Sequence, residues 1–120
     1  MTSPNLGIDH VQEGQSQKEV IVNDAIDALD LALTGEGAFA PGVAPDDDAF
    51  RRAFAWAPQD TLQEAATFPV PAIRRPFAVL NPSDTYTITV ERGSDAYTVA
   101  PATAGWFYCD GATLWRLGPG

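Results

Sequence analysis

The chain has a single histidine, His10, and a single cysteine, Cys109, its two natural candidates for nucleophilic chemistry. They lie near opposite ends of the sequence, so a Cys–His pair would require the N-terminal segment to fold over the C-terminal one. Neither has a neighbour at metal-ligand spacing. Cys109, beside Phe107 and Tyr108, reads more simply as a small buried hydrophobe. Asp46, Asp47 and Asp48 offer adjacent carboxylates to a hard cation. They lack the alternate acids, central glycine and distal glutamate of an EF-hand loop. Solvated loop acids, or an N-cap for a helix whose dipole favours negative charge there, account for them better.

Asp24, Asp27 and Asp30 recur every three residues, which on a helix makes a polar face opposite Ala25, Ile26 and Leu29. That face is expected to be solvated or to meet a partner. Nothing else supports paired-carboxylate glycoside chemistry. Gly35, Gly37 and Gly42 are not followed by the Lys-Thr or Lys-Ser of a phosphate-cradling loop. Trp56, Trp106 and Trp115 could stack on sugar rings, but in a domain this small tryptophans more often serve as core or interface anchors. No catalytic, cofactor-binding or metal-ligating residue is therefore assigned. The expectation is a protein that binds, with no cofactor, rather than an enzyme.

The elements that would carry these residues are short. A chain of 120 residues makes one compact domain with a modest core. Ten glycines and ten prolines predict much loop. Sixteen acidic against seven basic residues give a net charge of −9, which argues against a nucleic-acid surface or an anionic membrane. A lone cysteine allows no intrachain disulfide. No stretch has the ~18 apolar residues of a membrane span. The start, Met1 to Gly7, lacks the features of a secretion signal, so the protein is expected in the cytosol of the producing cell.

Residues 1–15 are polar and aperiodic and read as an extended arm, ordered only against a partner. Ser16-Gln17-Lys18-Glu19 fits a capping box. Val22, Ala25, Ile26, Leu29 and Leu33 follow at helical spacing and Gly35 is a stop, predicting a helix over 16–34. Residues 35–60 read as a loop with a short helix, capped by Asp48 and running through Arg51, Phe54 and Trp56 to Pro58. From 61 to 120 the chain reads as β-rich. Thr61 to Phe68 could hold one short strand, and prolines up to Pro76 forbid anything long. Tyr86, Ile88 and Val90 alternate with threonines, and Arg92 to Asp95 is a turn before Tyr97 and Val99. Trp106–Cys109 and Thr113–Leu117 flank Asp110-Gly111, a hairpin signal predicting a two-residue turn. Phe107 and Cys109 would share one face of that hairpin, and Trp106 and Tyr108 the other. The fold class expected is α+β: an arm and one helix, then a small antiparallel β-meander or sandwich over about 61–117.

Two stretches resemble a known family. Gly14-Gln15-Ser16-Gln17-Lys18-Glu19-Val20-Ile21-Val22-Asn23-Asp24-Ala25-Ile26-Asp27-Ala28-Leu29-Asp30 is similar to a segment near the start of a family of phage and prophage proteins. That family also occurs in the gene transfer agents of marine and photosynthetic α-proteobacteria, among head-spike and tail-fibre genes. Its pattern is roughly Gln-Ala-Gln-Lys, then Val-Thr-Val-Asn-Glu-Ala-Leu, then Leu-Asp. Ser16, Ile21, Asp24 and Ile26 depart from it at four positions. The run from Tyr86 through Gly105-Trp106-Phe107-Tyr108-Cys109-Asp110-Gly111 to Trp115 looks like a β-module of phage fibre and spike proteins.

The resemblance implies a structural protein of a tailed-phage or phage-like particle, at the base of a fibre or spike, with capsid decoration as the alternative. It implies no catalytic residues. Family members usually carry a receptor-binding part after the shared segment, so a shorter chain is expected to be an attachment or adaptor piece. The implied partners are sister chains, as a homotrimer, and other virion proteins such as capsid, portal or fibre subunits. The rival reading, from another class, is a carbohydrate-binding module for a host-surface glycan. Val22, Ile26, Leu29, Leu33, Trp106 and Trp115 are the expected interface residues, with the helix stripe buried within or between subunits.

Overall fold

The computed structural model describes residues 2–9 and 16–118, with side chains of the long helix described from Asn23 onward. The fold is α+β, with two helices and eight strands in two mixed sheets among the described residues. Helix α1 (Ser16–Thr34) occupies the span its periodicity predicts. Its capping-box side chains and Val22 lie outside the described residues, as do His10 and residues 10–15 of the arm. The strands are β1 (Glu36–Phe39), β2 (Ala55–Pro58), β3 (Ala66–Pro69), β4 (Arg75–Leu80), β5 (Ile88–Arg92), β6 (Asp95–Val99), β7 (Ala104–Cys109) and β8 (Leu114–Gly118). A short helix α2 (Asp47–Arg51) lies between β1 and β2.

The strands do not run as an antiparallel meander, and they begin well before residue 61. One sheet has the order β1-β2-β4-β7-β8 and the other β3-β5-β6. Three of the pairings are parallel: β1 with β2, β2 with β4, and β3 with β5. Parallel neighbours need a crossover, because a tight turn reverses the chain. The crossover from β1 to β2 carries α2. The one from β2 to β4 passes through β3, in the other sheet. The one from β3 to β5 passes through β4. The two sheets are thus interleaved along the sequence. The segment expected as loop over 35–60 supplies two of the five strands in the larger sheet.

Local chemistry explains why the expected short helix stops early. Asp46, not Asp48, is its N-cap: the Asp46 carboxylate accepts from the Ala49 N–H at 2.8 Å. The helix ends at Arg51, so Phe54 lies beyond it and Trp56 becomes a β2 residue. Trp56 is buried, with its ring over Gly37, where a Cβ would come within 2.6 Å of it. Only glycine at 37 lets β1 pass that close. Pro76 lies inside β4 rather than before it. Its missing N–H is tolerated because β2 pairs with β4 only at Ala78 and Val79.

The core is aromatic. Phe68 of β3 stacks on Trp56 at 5.7 Å and meets Phe39 at 4.6 Å and Phe77 at 6.1 Å. Phe77 stacks on Phe107 at 5.6 Å, and Phe50 of α2 meets Phe77 edge-on at 5.2 Å. One side chain from the smaller sheet therefore fills the space over three strands of the larger. Asn81, buried, donates from Nδ2 to the carbonyls of Tyr86 and Val99 at 2.8 and 3.1 Å, tying the end of β4 to β5 and β6. The edges of the sheets also meet: the Leu114 N–H donates to Asp95, the Tyr97 hydroxyl to the Leu114 carbonyl, and Arg116 to the Thr98 carbonyl.

Two buried charges position the helices. The Arg75 guanidinium, 9% exposed, donates to the carbonyls of Phe50 and Arg51 at 2.9 and 2.7 Å, to that of Ala32, and from Nε to that of Pro76 at 2.9 Å. The first three are among the unpaired carbonyls at the C-termini of α2 and α1, where a cation is favoured. Burial pushes the Arg75 pKa below its ordinary value.

The second is Asp30, which leaves the expected solvated face and is fully buried. Residues 2–9 are not an extended arm there. They close into a hairpin, with Thr2 bridged to Asp9, the Ser3 N–H donating to the Ile8 carbonyl and the Ile8 N–H to the Ser3 hydroxyl. Asp30 Oδ2 accepts from the Asn5 and Leu6 N–H groups at 2.9 and 2.6 Å, and the Thr34 hydroxyl sits 2.7 Å from Oδ1. Burial would raise the Asp30 pKa. The bonds from Ser3, Leu6, Thr34 and Asn5 overcome that and hold it well below the usual carboxylate range.

Removing Arg75 should leave helix-end carbonyls buried without donors. Arg75→Met is expected to cost about 2–4 kcal/mol in urea unfolding, since each buried unsatisfied group costs ~1–3 kcal/mol. A change under about 0.5 kcal/mol would show that the guanidinium does not hold the helices. The depressed Asp30 pKa gives a signed pH dependence: hairpin docking is complete above the ordinary value of 3.8 and is lost as pH falls below it. Asp30→Ala should abolish that dependence and raise amide exchange at Asn5 and Leu6 at neutral pH. Unchanged exchange in the variant would contradict the anchor.

Candidate docking surfaces

The two sheets differ in what they show outward. On the outer face of the three-stranded sheet stand Thr67 and Pro69 from β3, Thr89 and Glu91 from β5, and Ala96 and Thr98 from β6. That is the polar-out alternation of an antiparallel or mixed sheet with one solvated face. On the five-stranded sheet the inward set is Phe39, Trp56, Phe77, Val79, Phe107, Cys109 and Leu114, all buried. The residues between them face out, and they are not polar. β2 offers Ala55 and Ala57, and β4 offers Pro76, Ala78 and Leu80. β7 offers Ala104, Trp106 and Tyr108, and β8 offers Trp115 and Leu117. Ala38 and Glu36 of β1 complete the face. Glu36, on the edge strand, is its single charged strand residue in a chain of net charge −9.

Register assembles the aromatic end of this face. Tyr108 pairs with Trp115, Pro76 with Tyr108, and Ala78 with Trp106. Trp106 is 51% exposed, Trp115 53% and Leu117 53%. A bulge between Trp106 and Phe107 shifts the β7–β8 pairing, which places Gly118 opposite Trp106. The connection between these strands is a four-residue loop rather than the expected two-residue turn, because Cys109 pairs with Leu114. The Asp110 side chain causes the difference. Its Oδ1 accepts from the Ala112 and Thr113 N–H groups at 2.9 and 2.7 Å, an Asx-type closure. Its Oδ2 accepts from Trp115 Nε1 at 3.3 Å, which orients the indole. The bonds from Thr113, Ala112 and Trp115 lower the Asp110 pKa. Gly111 has φ +99°, a conformation costly for other residues.

The helix stripe forms a second uncovered surface. Leu29 is 64% and Leu33 60% exposed, and Ile26 is half-buried, so among the described residues the stripe is uncovered at Leu29 and Leu33. No strand packs along α1 among the described residues; the helix joins the body at its C-terminal turn, through Arg75 and Gly35. Beside that turn lies an open hollow lined by Ala32, Leu33, Arg51, Ile73, Arg74, Arg75 and Pro76. A larger one lies between Pro41, Gly42 and residues 60–67.

Among the expected interface residues, Trp106 and Trp115 share one surface, and Ile26, Leu29 and Leu33 share another. Cys109 is buried, its thiol directed to the Pro71 carbonyl at 3.7 Å. Asp24 is exposed. The residues sequence reasoning missed are the outward alanines of β2 and β4 and Pro76, which no periodicity marks. No family model, curated protein or solved structure matches the chain.

Gly111→Val tests how the loop presents Trp115. A Cβ at 111 meets no atom within 4 Å, so the cost is backbone strain alone, about 1–3 kcal/mol. The melting temperature should fall and the Trp115 fluorescence environment should change. An unchanged melting temperature would mean that the positive φ is not required.

Proposed function

We propose that this chain is a structural, protein-binding component of a tailed-phage or phage-like particle, working as a fibre or spike base, adaptor or attachment piece. The observation that carries the binding role is the uncharged outer face of the five-stranded sheet. A solvated sheet face ordinarily carries polar side chains, and exposed apolar patches of this breadth mark interaction sites. The particle context rests on the resemblance of residues 14–30 to the phage and gene-transfer-agent segment. A fold with interleaved sheets and edges tied to one another suits a part that must present fixed surfaces. Capsid decoration is the variant of this reading with the same surfaces turned to a capsid shell. In either case the protein acts by binding.

A second reading is favoured by one feature, the pair Trp106 and Trp115 with Tyr108 between them on a neutral face. Indole rings held at fixed orientation can stack on an uncharged glycan.

One experiment separates the readings. In purified particles from the producing cell, mass spectrometry should find the chain at a fixed copy number, and immunogold should place it at one structural position. Trp106→Ala with Trp115→Ala should then lower incorporation at least tenfold. A chain absent from particles, together with glycan-array binding lost in the same double variant, would favour the glycan module instead.

A further inference from the structure

We propose that the chain associates with a second copy of itself through a helix-on-sheet contact, in which the Leu29–Leu33 stripe of α1 in one copy covers the outer face of the five-stranded sheet in the other. The two uncovered apolar surfaces are of complementary kind. One is a ridge, with Leu29 and Leu33 standing out from a helix along which, among the described residues, no strand packs. The other is a floor of small, half-buried side chains, Ala55, Ala57 and Ala78, bordered on one side by Trp106 and Trp115. Helices cover sheets in this way within single domains, where each must bury one apolar face.

The dimensions agree. A helix of 19 residues is ~28 Å long. Five strands at ~4.8 Å spacing make a face ~24 Å across. A helix laid across the strands would cover the whole width. Each copy would contribute roughly 280 Å² of helix footprint and an equal area of its own sheet beneath the other copy's helix, about 560 Å² per partner and about 1,100 Å² in total, just above the ~1,000 Å² that a specific interface needs. Electrostatics selects the same surfaces. Two chains of net charge −9 repel, so contact is cheapest where charge is absent. On the sheet face the single strand charge, Glu36, sits on the edge strand, and on α1 the acids Asp24 and Asp27 lie off the Leu29–Leu33 line. A helix that leaves its own body at one end can reach a neighbour, and reciprocal exchange would close a two-fold dimer.

This self-association rests on the binding role proposed for the same sheet face, and its test uses the free chain, so that its failure is distinguishable from failure of incorporation into particles. Sedimentation at ~1–100 μM should show self-association of the wild-type chain. Leu29→Glu with Leu33→Glu should be monomeric. Leu80→Lys with Leu117→Lys, on the sheet face, should be monomeric too. Circular dichroism melting checks that both variants fold. The deciding sample is an equimolar mixture of the two. Each partner retains one intact surface, so the mixture should associate at least tenfold more strongly than either variant alone. A monomeric wild-type chain at 100 μM overturns the proposal. So does association lost only in the helix variant, which would mean helix-on-helix pairing, or a mixture no better than its components.

Discussion

Arg75 is the point at which the helical and β parts of this molecule are joined. Its guanidinium sits under Phe50, with Cζ 5.7 Å from the ring centroid, and its four described hydrogen bonds all end on backbone carbonyls. A buried cation usually needs an anion. Here the negative ends of two helix dipoles and their unpaired carbonyls take that place. The planar fork suits this role, because it can serve several oxygens at once where an ammonium could not. The consequences reach outward from that point. α1 is fixed to the body at its C-terminal turn, and Leu29 and Leu33 stay exposed. α2 is fixed over the aromatic core, which lets Phe50 join Phe77. β4, which carries Arg75, is set as the centre of the larger sheet.

Asp30 is the counterpart on the other side of α1. A carboxylate one turn from a helix C-terminus opposes the dipole, so by itself it is a poor choice. The N-terminal hairpin answers with two consecutive N–H groups from Asn5 and Leu6 and a hydroxyl from Thr34. The hairpin and the end of the helix therefore depend on one another, and a segment with little apolar content of its own is held by polar bonds rather than by burial.

What could be read from the residues was local. The heptad-like spacing from Val22 to Leu33 marked α1, the threonine alternation marked β5, and Asp110-Gly111 marked a reversal with Phe107 and Cys109 turned inward. What could not be read depended on partners far away in sequence. Parallel pairing of β1 with β2 has no turn signal, and β1 is only four residues, of which Phe39 alone is a large apolar side chain. Arg75 stands in a proline-rich stretch where nothing distinguishes a buried arginine from a solvated one. Asp30 continues the spacing of Asp24 and Asp27, so the helical period alone assigns it to the wrong face. The two-residue turn failed because the Asp110 side chain can close the loop by itself. The candidate docking face was half legible: Trp106 and Trp115 were visible as candidate anchors, but the alanines beside them become a surface only when β2, β4, β7 and β8 are placed side by side.

A protein that works by docking must cover these uncovered surfaces when it is assembled. Hydroxyl-radical footprinting measures that directly. In the dilute purified chain, Leu29, Leu33, Trp106, Trp115 and Leu117 should be oxidised at rates set by their exposure. In the assembly isolated from the producing cell, the same side chains should be protected several-fold, while Thr89 and Thr98 on the polar face keep their rates. Equal oxidation of the tryptophans and leucines in both samples would contradict the claim that this is a protein built to dock.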